Sequence, residues 1–299
     1  MKILTVRHAT TYRYSTDVVF GPHRLMVRPR DSHDLRLVSS TLSFTPAGNV
    51  RWLHDVFGNS VTIIEFTQAA KVLEIVSTLS LERFGSERLP FALDDHAKTY
   101  PFIYSKDDRT DLGRLMEQHY PDPNDTLSTW ARRFVSAKGI GTLELLATMN
   151  AAVKSSFTYR RRDDEGTQSP IETLERKSGS CRDFALLLIE AARCLGIGAR
   201  FVSGYLYDPA TEATSGVQGA GASHAWADIY LPGAGWVEYD PTNGLIAAEN
   251  LIRVAVARDP AQAVPLVGSF TGAPESYLGM SVEVTVASGA PAKPKALAS

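Results

Sequence analysis

Apolar and polar positions alternate along the first part of the chain. Ile3, Thr5 and Arg7, then His8, Thr10, Tyr12 and Tyr14, fall into rows two residues apart, the period at which a strand turns side chains to one face. Strand-like runs follow at 24–27, 35–44, 60–66 and 72–81. Gly21-Pro22, Pro46-Ala47-Gly48-Asn49 and Gly58-Asn59 punctuate them, as turn residues do. Short strands with such punctuation predict an antiparallel β sandwich or barrel over 1–85. The segment 86–125 is rich in Pro and Asp, with Pro90, Pro101, Pro121 and Pro123, and reads as a connection holding a short helix at 112–119.

The period then changes. Residues 126–136 and 142–157 read as helices, the second with Leu145, Met149 and Val153 one turn apart. A third helix is predicted from Cys181, where Phe184, Leu187, Leu188, Ala191 and Leu195 form one apolar stripe and Gly196 supplies a stop. Strands are expected at 199–207, 222–231 and 236–240, with Pro232-Gly233-Ala234-Gly235 turning between the last two. Residues 281–287 alternate again. Helices followed by sheet predict an α+β unit over 126–287. The tail 288–299, made of Pro, Ala, Lys and Gly, is expected to be disordered.

The chain has 299 residues, more than one core usually holds, which fits two domains. A formal net charge of -2 without a basic stripe argues against nucleic acid as a partner. Arg132-Arg133 and Arg160 to Arg162 read as solvated faces. The N-terminus shows no apolar stretch of a secretory signal, and no run approaches the length of a membrane span. A cytoplasmic protein without membrane contact is expected. Cys181 and Cys194 are too few for a disulfide framework. On one helix they would stand about 20 Å apart, against the roughly 7 Å that a bridge allows. Two free thiols are the reading.

Candidate chemistry centres on Cys181, where a Gly-containing loop runs into a helix. Unpaired backbone N–H groups and the helix dipole favour an anion there, which makes a thiol more reactive and offers donors to an oxyanion. A small buried hydrophobe is the equally open alternative. Cys194 lies in an apolar stretch and reads as core. His224 opens one strand and Asp240 ends the next, so the two are expected to be neighbours. A direct pairing needs a hairpin centred at 232, and the apparent turn centres slightly later. A cysteine, a base and a carboxylate make the generalised acyl-transfer triad. Arg182 and Asp183 read as residues that fix the helix start. Tyr159 and Ser180 are candidates for the border of an oxyanion site. Trp226, Trp236 and Tyr239 are candidates for packing or cleft walls. Asp228 and Glu238 form a possible carboxylate pair, equally explained as surface positions on neighbouring strands. No two-His metal motif, P-loop or dinucleotide glycine pattern occurs, so neither a metal nor another cofactor is expected.

The stretches GSCRDFALLLIEAARCLGIGARFVSGY and SHAWADIYLPGAGWVEYDPTNG, with the upstream Phe157-Thr158-Tyr159, closely resemble bacterial transglutaminase-like proteins. These are provisionally labelled cysteine proteases and belong to the papain-like transglutaminase superfamily. The blocks cover roughly residues 125–260. The region from Thr5-Val6-Arg7-His8 through Asp55-Val56-Phe57-Gly58-Asn59 resembles the β-rich domain preceding that core. The resemblance implies a papain-like core and a Cys–His–Asp triad at Cys181, His224 and Asp240. It also implies an acyl thioester on Cys181, formed from a peptide or protein substrate. Hydrolysis of a peptide, isopeptide or amide bond is the expected outcome, since no calcium loop is evident. Amine transfer to a protein glutamine and a non-catalytic peptide-binding scaffold are the alternatives.

Overall fold

The computed structural model describes residues 1–84, 92–161, 166–208 and 223–289. The chain opens with β1 (Lys2–Phe20), β2 (His23–Leu25), β3 (Leu35–Thr45), β4 (Gly48–His54), β5 (Ser60–Phe66) and β6 (Ala70–Arg83). β1 and β3 pair with β6 in one antiparallel sheet, and β2 and β4 pair with β5 in another. Tyr14, Val18, Phe20, Leu25, Ile64, Leu73 and Ile75 from both sheets share one apolar cluster. Both faces of β4 are largely solvent-exposed, so Val50 and Trp52, two residues apart, mark no buried face, and the turn signal at Gly48-Asn49 dominates its sequence.

The helices are α1 (Lys106–Leu112), α2 (Thr126–Arg132), α3 (Thr142–Ser156), α4 (Pro170–Arg176) and α5 (Cys181–Cys194). α1 starts before the expected 112–119, because Ser105 caps it through a hydrogen bond from the Asp108 N–H at 3.0 Å, and a single 3-10 turn at Gly113–Met116 falls inside the expected range. Antiparallel strands β7 (Ala199–Leu206), β8 (His224–Leu231), β9 (Gly235–Asp240) and β10 (Leu251–Ala257) follow. The sheet runs in the order Leu245–Ile246, β9, β8, β7, β10. The stretch from Asp208 to Ala220, rich in Gly, Ala, Ser and Thr and on that composition expected to be a mobile loop beside His224, lies mostly outside the described residues. The last strand, β11 (Tyr277–Ser288), pairs with β1 from Leu4↔Ser288 to Tyr14↔Tyr277. Residues 281–287 therefore extend the N-terminal sheet. Ser288 belongs to that strand and the Gly289 N–H bonds to Ile3 O, so order persists past the expected start of the tail; 290–299 lie outside the description. Among the described residues no helix is long and apolar enough to cross a membrane.

α5 packs on one face of the second sheet. Ala185, Leu188, Ile189 and Ala192 join Phe201, Ala227, Ile229 and Tyr239 in one cluster. Burial reaches the polar residues of the helix too. Glu190 and Arg193 form an ion pair at 2.6 Å with both side chains fully buried. Glu190 also accepts the N–H groups of His119 and Tyr120, and Arg193 donates to the carbonyls of Leu115, Ala199 and Arg258. The pair thus binds the connecting segment and two strand ends to one helix. Arg193→Met leaves Glu190 charged and uncompensated, and is expected to cost about 3–5 kcal/mol in urea denaturation.

The two halves meet where Leu4, Val6, Leu79 and Leu81 pack on Tyr205, Ile252 and Val254. Charges gather beside this contact, and here the surface reading of two carboxylates fails. Asp228 is 0% exposed and Glu238 is half-buried, directly opposite it in register. Arg200 donates through Nε and Nη2 to Asp228 Oδ2 at 3.0 and 2.9 Å. Burial, with the facing Asp228, pushes the Glu238 carboxyl up to about 7 against the pull of Arg253 and Arg83. A carboxyl titrating higher folded than unfolded stabilises the fold fully below its ordinary value of 4.5, and that contribution is lost as pH rises through about 7. Glu238→Gln is therefore expected to match wild type in thermal denaturation near pH 4.5 and to melt at a higher temperature at pH 8. A melting difference that stays constant with pH would contradict this.

Candidate active site

The chain enters α5 through a short parallel ladder in which Tyr159 pairs with Gly179. Gly179 packs against the first turn so closely that an added Cβ would lie 2.8 Å from Asp183 Cβ. Asp183, 0% exposed, accepts the Ser180 N–H at 2.7 Å, the Ser180 hydroxyl at 2.9 Å and the Gln168 N–H at 2.7 Å. The Ser180 side chain is thus directed to Asp183. Helical bonding starts with the Phe184 N–H on Ser180 O at 3.1 Å. N–H groups ahead of that bond have no carbonyl partner within the helix. Cys181, buried at the first helical position, sits among them. Burial and the nearby Cys181 together raise the Tyr159 hydroxyl to about 12, which puts the phenol within electrostatic reach of the thiol.

His224 and Asp240 come from β8 and β9. Their register runs from Ala227↔Tyr239 to Leu231↔Gly235, a hairpin centred on 233. Continued one step, it sets Asp240 across from Trp226 and a diagonal away from His224. Side chains on one face reach across such a diagonal, and His224 Nε2 meets Asp240 Oδ2 at 2.8 Å. Both residues are fully buried. The segment after Asp240 folds back on the carboxylate. Oδ1 accepts the N–H groups of Thr242 at 3.0 Å and Asn243 at 3.3 Å, and Oδ2 also accepts Asn243 Nδ2 at 2.9 Å.

Electrostatics at this pair is a contest between burial and partners. Burial disfavours the imidazolium, but Asp240 and then Cys181 outweigh it and hold His224 up to about 10. Burial likewise disfavours the Asp240 carboxylate, yet His224 and the Asn243 donors keep it below the usual range. His224 Nδ1 makes no conventional hydrogen bond. Cys181 nonetheless stands near enough to raise this imidazole through both a side-chain hydrogen-bond contribution and its charge.

The other sequence candidates separate. Trp226 is 0% exposed, with its ring 6.0 Å from that of His224, and packs with Val202, Leu206 and Leu251. Tyr239 is buried in the α5 cluster. Trp236 lies at the far end of the hairpin, 5.4 Å from the Tyr230 ring and 4.0 Å from the Arg200 guanidinium. It takes no part in the His224 site. Cys194 is half-buried, receives a hydrogen bond from Gln118 Nε2, and has its thiol pushed up to about 11 by burial. Asn243 and Gln168 were not anticipated. The sequence Asp-Pro-Thr-Asn-Gly signals an Asx-type turn, the one cue that pointed to Asn243. Among the described residues no group of three or more His, Cys, Asp or Glu could hold a metal ion.

Residues 128–241 match the profile of the transglutaminase-like superfamily, and 4–82 match the bacterial transglutaminase-like N-terminal region. An uncharacterized protein of Mycobacterium bovis is 29% identical over 290 residues, covering 93% of this chain and 91% of that protein. One from Mycobacterium leprae is 27% identical over 282 residues, covering 94% and 98%. The crystal structure of a Cytophaga hutchinsonii protein, provisionally assigned as a cysteine protease, superposes with a TM-score of 0.70 at 18% identity, covering 97% of this chain and 92% of that one. That likeness extends over both sheets and the helices between them. The two profiles follow each other in the order in which the two halves of the fold are built, and the chain joins a bacterial transglutaminase-like N-terminal region to a core of the transglutaminase-like superfamily.

Proposed function

We propose that this protein is a cysteine acyl-transfer enzyme that hydrolyses amide bonds of a peptide or protein substrate through a thioester on Cys181. The observation that carries the reading is a fully buried His224–Asp240 pair coupled to a thiol at the start of a helix. Held up to about 10, His224 already carries a proton on Nδ1 near neutral pH, and the sulfur attacks the substrate carbonyl carbon as a thiolate beside that imidazolium. First-turn N–H groups of α5 face the oxygen as it gains charge. The C–N bond then breaks, Nδ1–H protonates the leaving amine, and the acyl thioester remains. Water gives a proton to Nδ1 and adds to the thioester, the C–S bond breaks, and the thiolate leaves beside the re-formed imidazolium as the acid departs. Asp240 orients the ring and balances its charge throughout. With Ser180 engaged by Asp183, Tyr159 is the side chain better placed to border the reacting oxygen.

Burial of the aromatic residues favours water over an amine as acceptor. Transfer requires a site that holds an amine and excludes water from the thioester. Tyr239 shares the α5 cluster with Cys181, but Trp226 packs in a different cluster and Trp236 lies at the far end of the hairpin, so the three do not form one wall.

Cys181 is expected to be alkylated by iodoacetamide at pH 7 in peptide-mass analysis, with Cys194 unmodified. A thiol titrating near 11 is only about one part in ten thousand thiolate at that pH. His224→Ala should slow labelling and acyl-enzyme formation by about 10²–10⁴-fold, while Cys194→Ala leaves both unchanged; equal labelling of the two cysteines contradicts the assignment. Offered an acyl donor with excess primary amine, the enzyme is expected to give mainly free acid. Predominance of the amide at modest amine concentration would make it a transglutaminase instead.

A further inference from the structure

Asp240 is held by more donors than a base-orienting carboxylate requires. A carboxylate offers about four lone-pair directions, and here all are used: two backbone N–H groups on Oδ1, and His224 Nε2 and Asn243 Nδ2 on Oδ2. The backbone donors come with an Asx-type turn of almost any sequence. The Asn243 amide is the donor that depends on a particular side chain. It lies 3.5 Å from His224 Nε2 as well, so the imidazole, the carboxylate oxygen and the amide form a compact triangle. We infer that Asn243 is a positioning residue of this site, sharing Asp240 Oδ2 with His224, fixing the plane of the carboxylate and tempering the charge it presents to the imidazole.

The surroundings fix the amide in turn. Lys154 of α3 donates to the Asn243 carbonyl at 2.7 Å, and the Gly244 N–H closes the turn on Asp240 O at 2.7 Å. Gly244 adopts φ +69°, and a Cβ there would lie 2.7 Å from Lys154 Cδ. The turn therefore tolerates little movement. A neutral amide stays a donor across the whole working pH range, so it withdraws charge from Oδ2 whether or not His224 is protonated. That matters in the step where Nδ1–H protonates the leaving amine. Against a carboxylate with one fewer donor, the imidazolium holds its proton more tightly and gives it up more slowly.

This role rests on the acyl-transfer reading, but its test does not. The full chain, ¹⁵N-labelled at histidine, is titrated without substrate from pH 6 to the highest pH at which it stays folded, with the His224 signal assigned by its loss in His224→Gln. Asn243→Ala is expected to move the imidazole midpoint upward by about one pH unit. Asn243→Asp, which keeps the shape and adds a carboxylate, should move it at least as far. Acylation by amide donors should fall while acylation by activated esters, whose leaving group needs no proton, stays near wild type. An unchanged or lowered midpoint in folded Asn243→Ala overturns the inference, since a merely structural residue would lower melting temperature alone. If the alanine variant does not fold, Asn243→Asp carries the same test, and an unmoved midpoint there is equally decisive. Failed acylation of wild type with a shifted midpoint removes the functional reading and leaves the positioning role intact. Normal acylation with an unshifted midpoint does the reverse.

Discussion

A helix buried on nearly all sides must find a partner for every polar group it takes out of water. α5 meets this constraint at both ends. Near its start, Asp183 gathers Ser180 and Gln168. Near its finish, Glu190 and Arg193 gather residues 115, 119, 120, 199 and 258. The connecting segment and two strand ends are thereby indexed to one axis. Cys181 takes its place from this framework, and its loop needs little rigidity of its own. The strands that pack on the other side of α5 then determine which side chains reach the thiol.

Two acids of β9 show how partners decide the sign of a shift. Asp240 has donors on both oxygens and stays ionised against the cost of burial. Glu238 faces another carboxylate, and burial pushes it toward the neutral form. They stand two residues apart on one face of the same strand. The sheet thus carries a satisfied acid and a frustrated one side by side, and the satisfied one serves His224.

The sequence made α5 legible because its apolar stripe is long and ends at a glycine, and the segments around Cys181, His224 and Asp240 stand close enough in pattern to name a family. What it left open has physical causes. The turn between β8 and β9 sits one residue later than direct His224–Asp240 opposition needs, and only the diagonal reach of the side chains makes the contact. α4 carries a cap signal in Ser169-Pro170-Ile171-Glu172, but seven residues are too few to show a stripe. Asp228 and Glu238 read as surface because charge is normally solvated; Arg200, which makes burial tolerable, is remote in sequence. Asn243 reads as a turn residue, and its second role exists only because His224 approaches the same oxygen.

The pairing of β1 with β11 bears on how such a chain is made. Leu4 and Ser288 are neighbours in space, so this contact joins segments nearly 300 residues apart, and folds dominated by such distant contacts form slowly. During synthesis, every segment of the site emerges before the strand that seals the first sheet. Until residues 277–288 leave the ribosome, β1 keeps one edge of backbone donors and acceptors open to any passing strand. The strand that completes the first sheet is thus the last of the described strands to be made, after every residue of the His224 site.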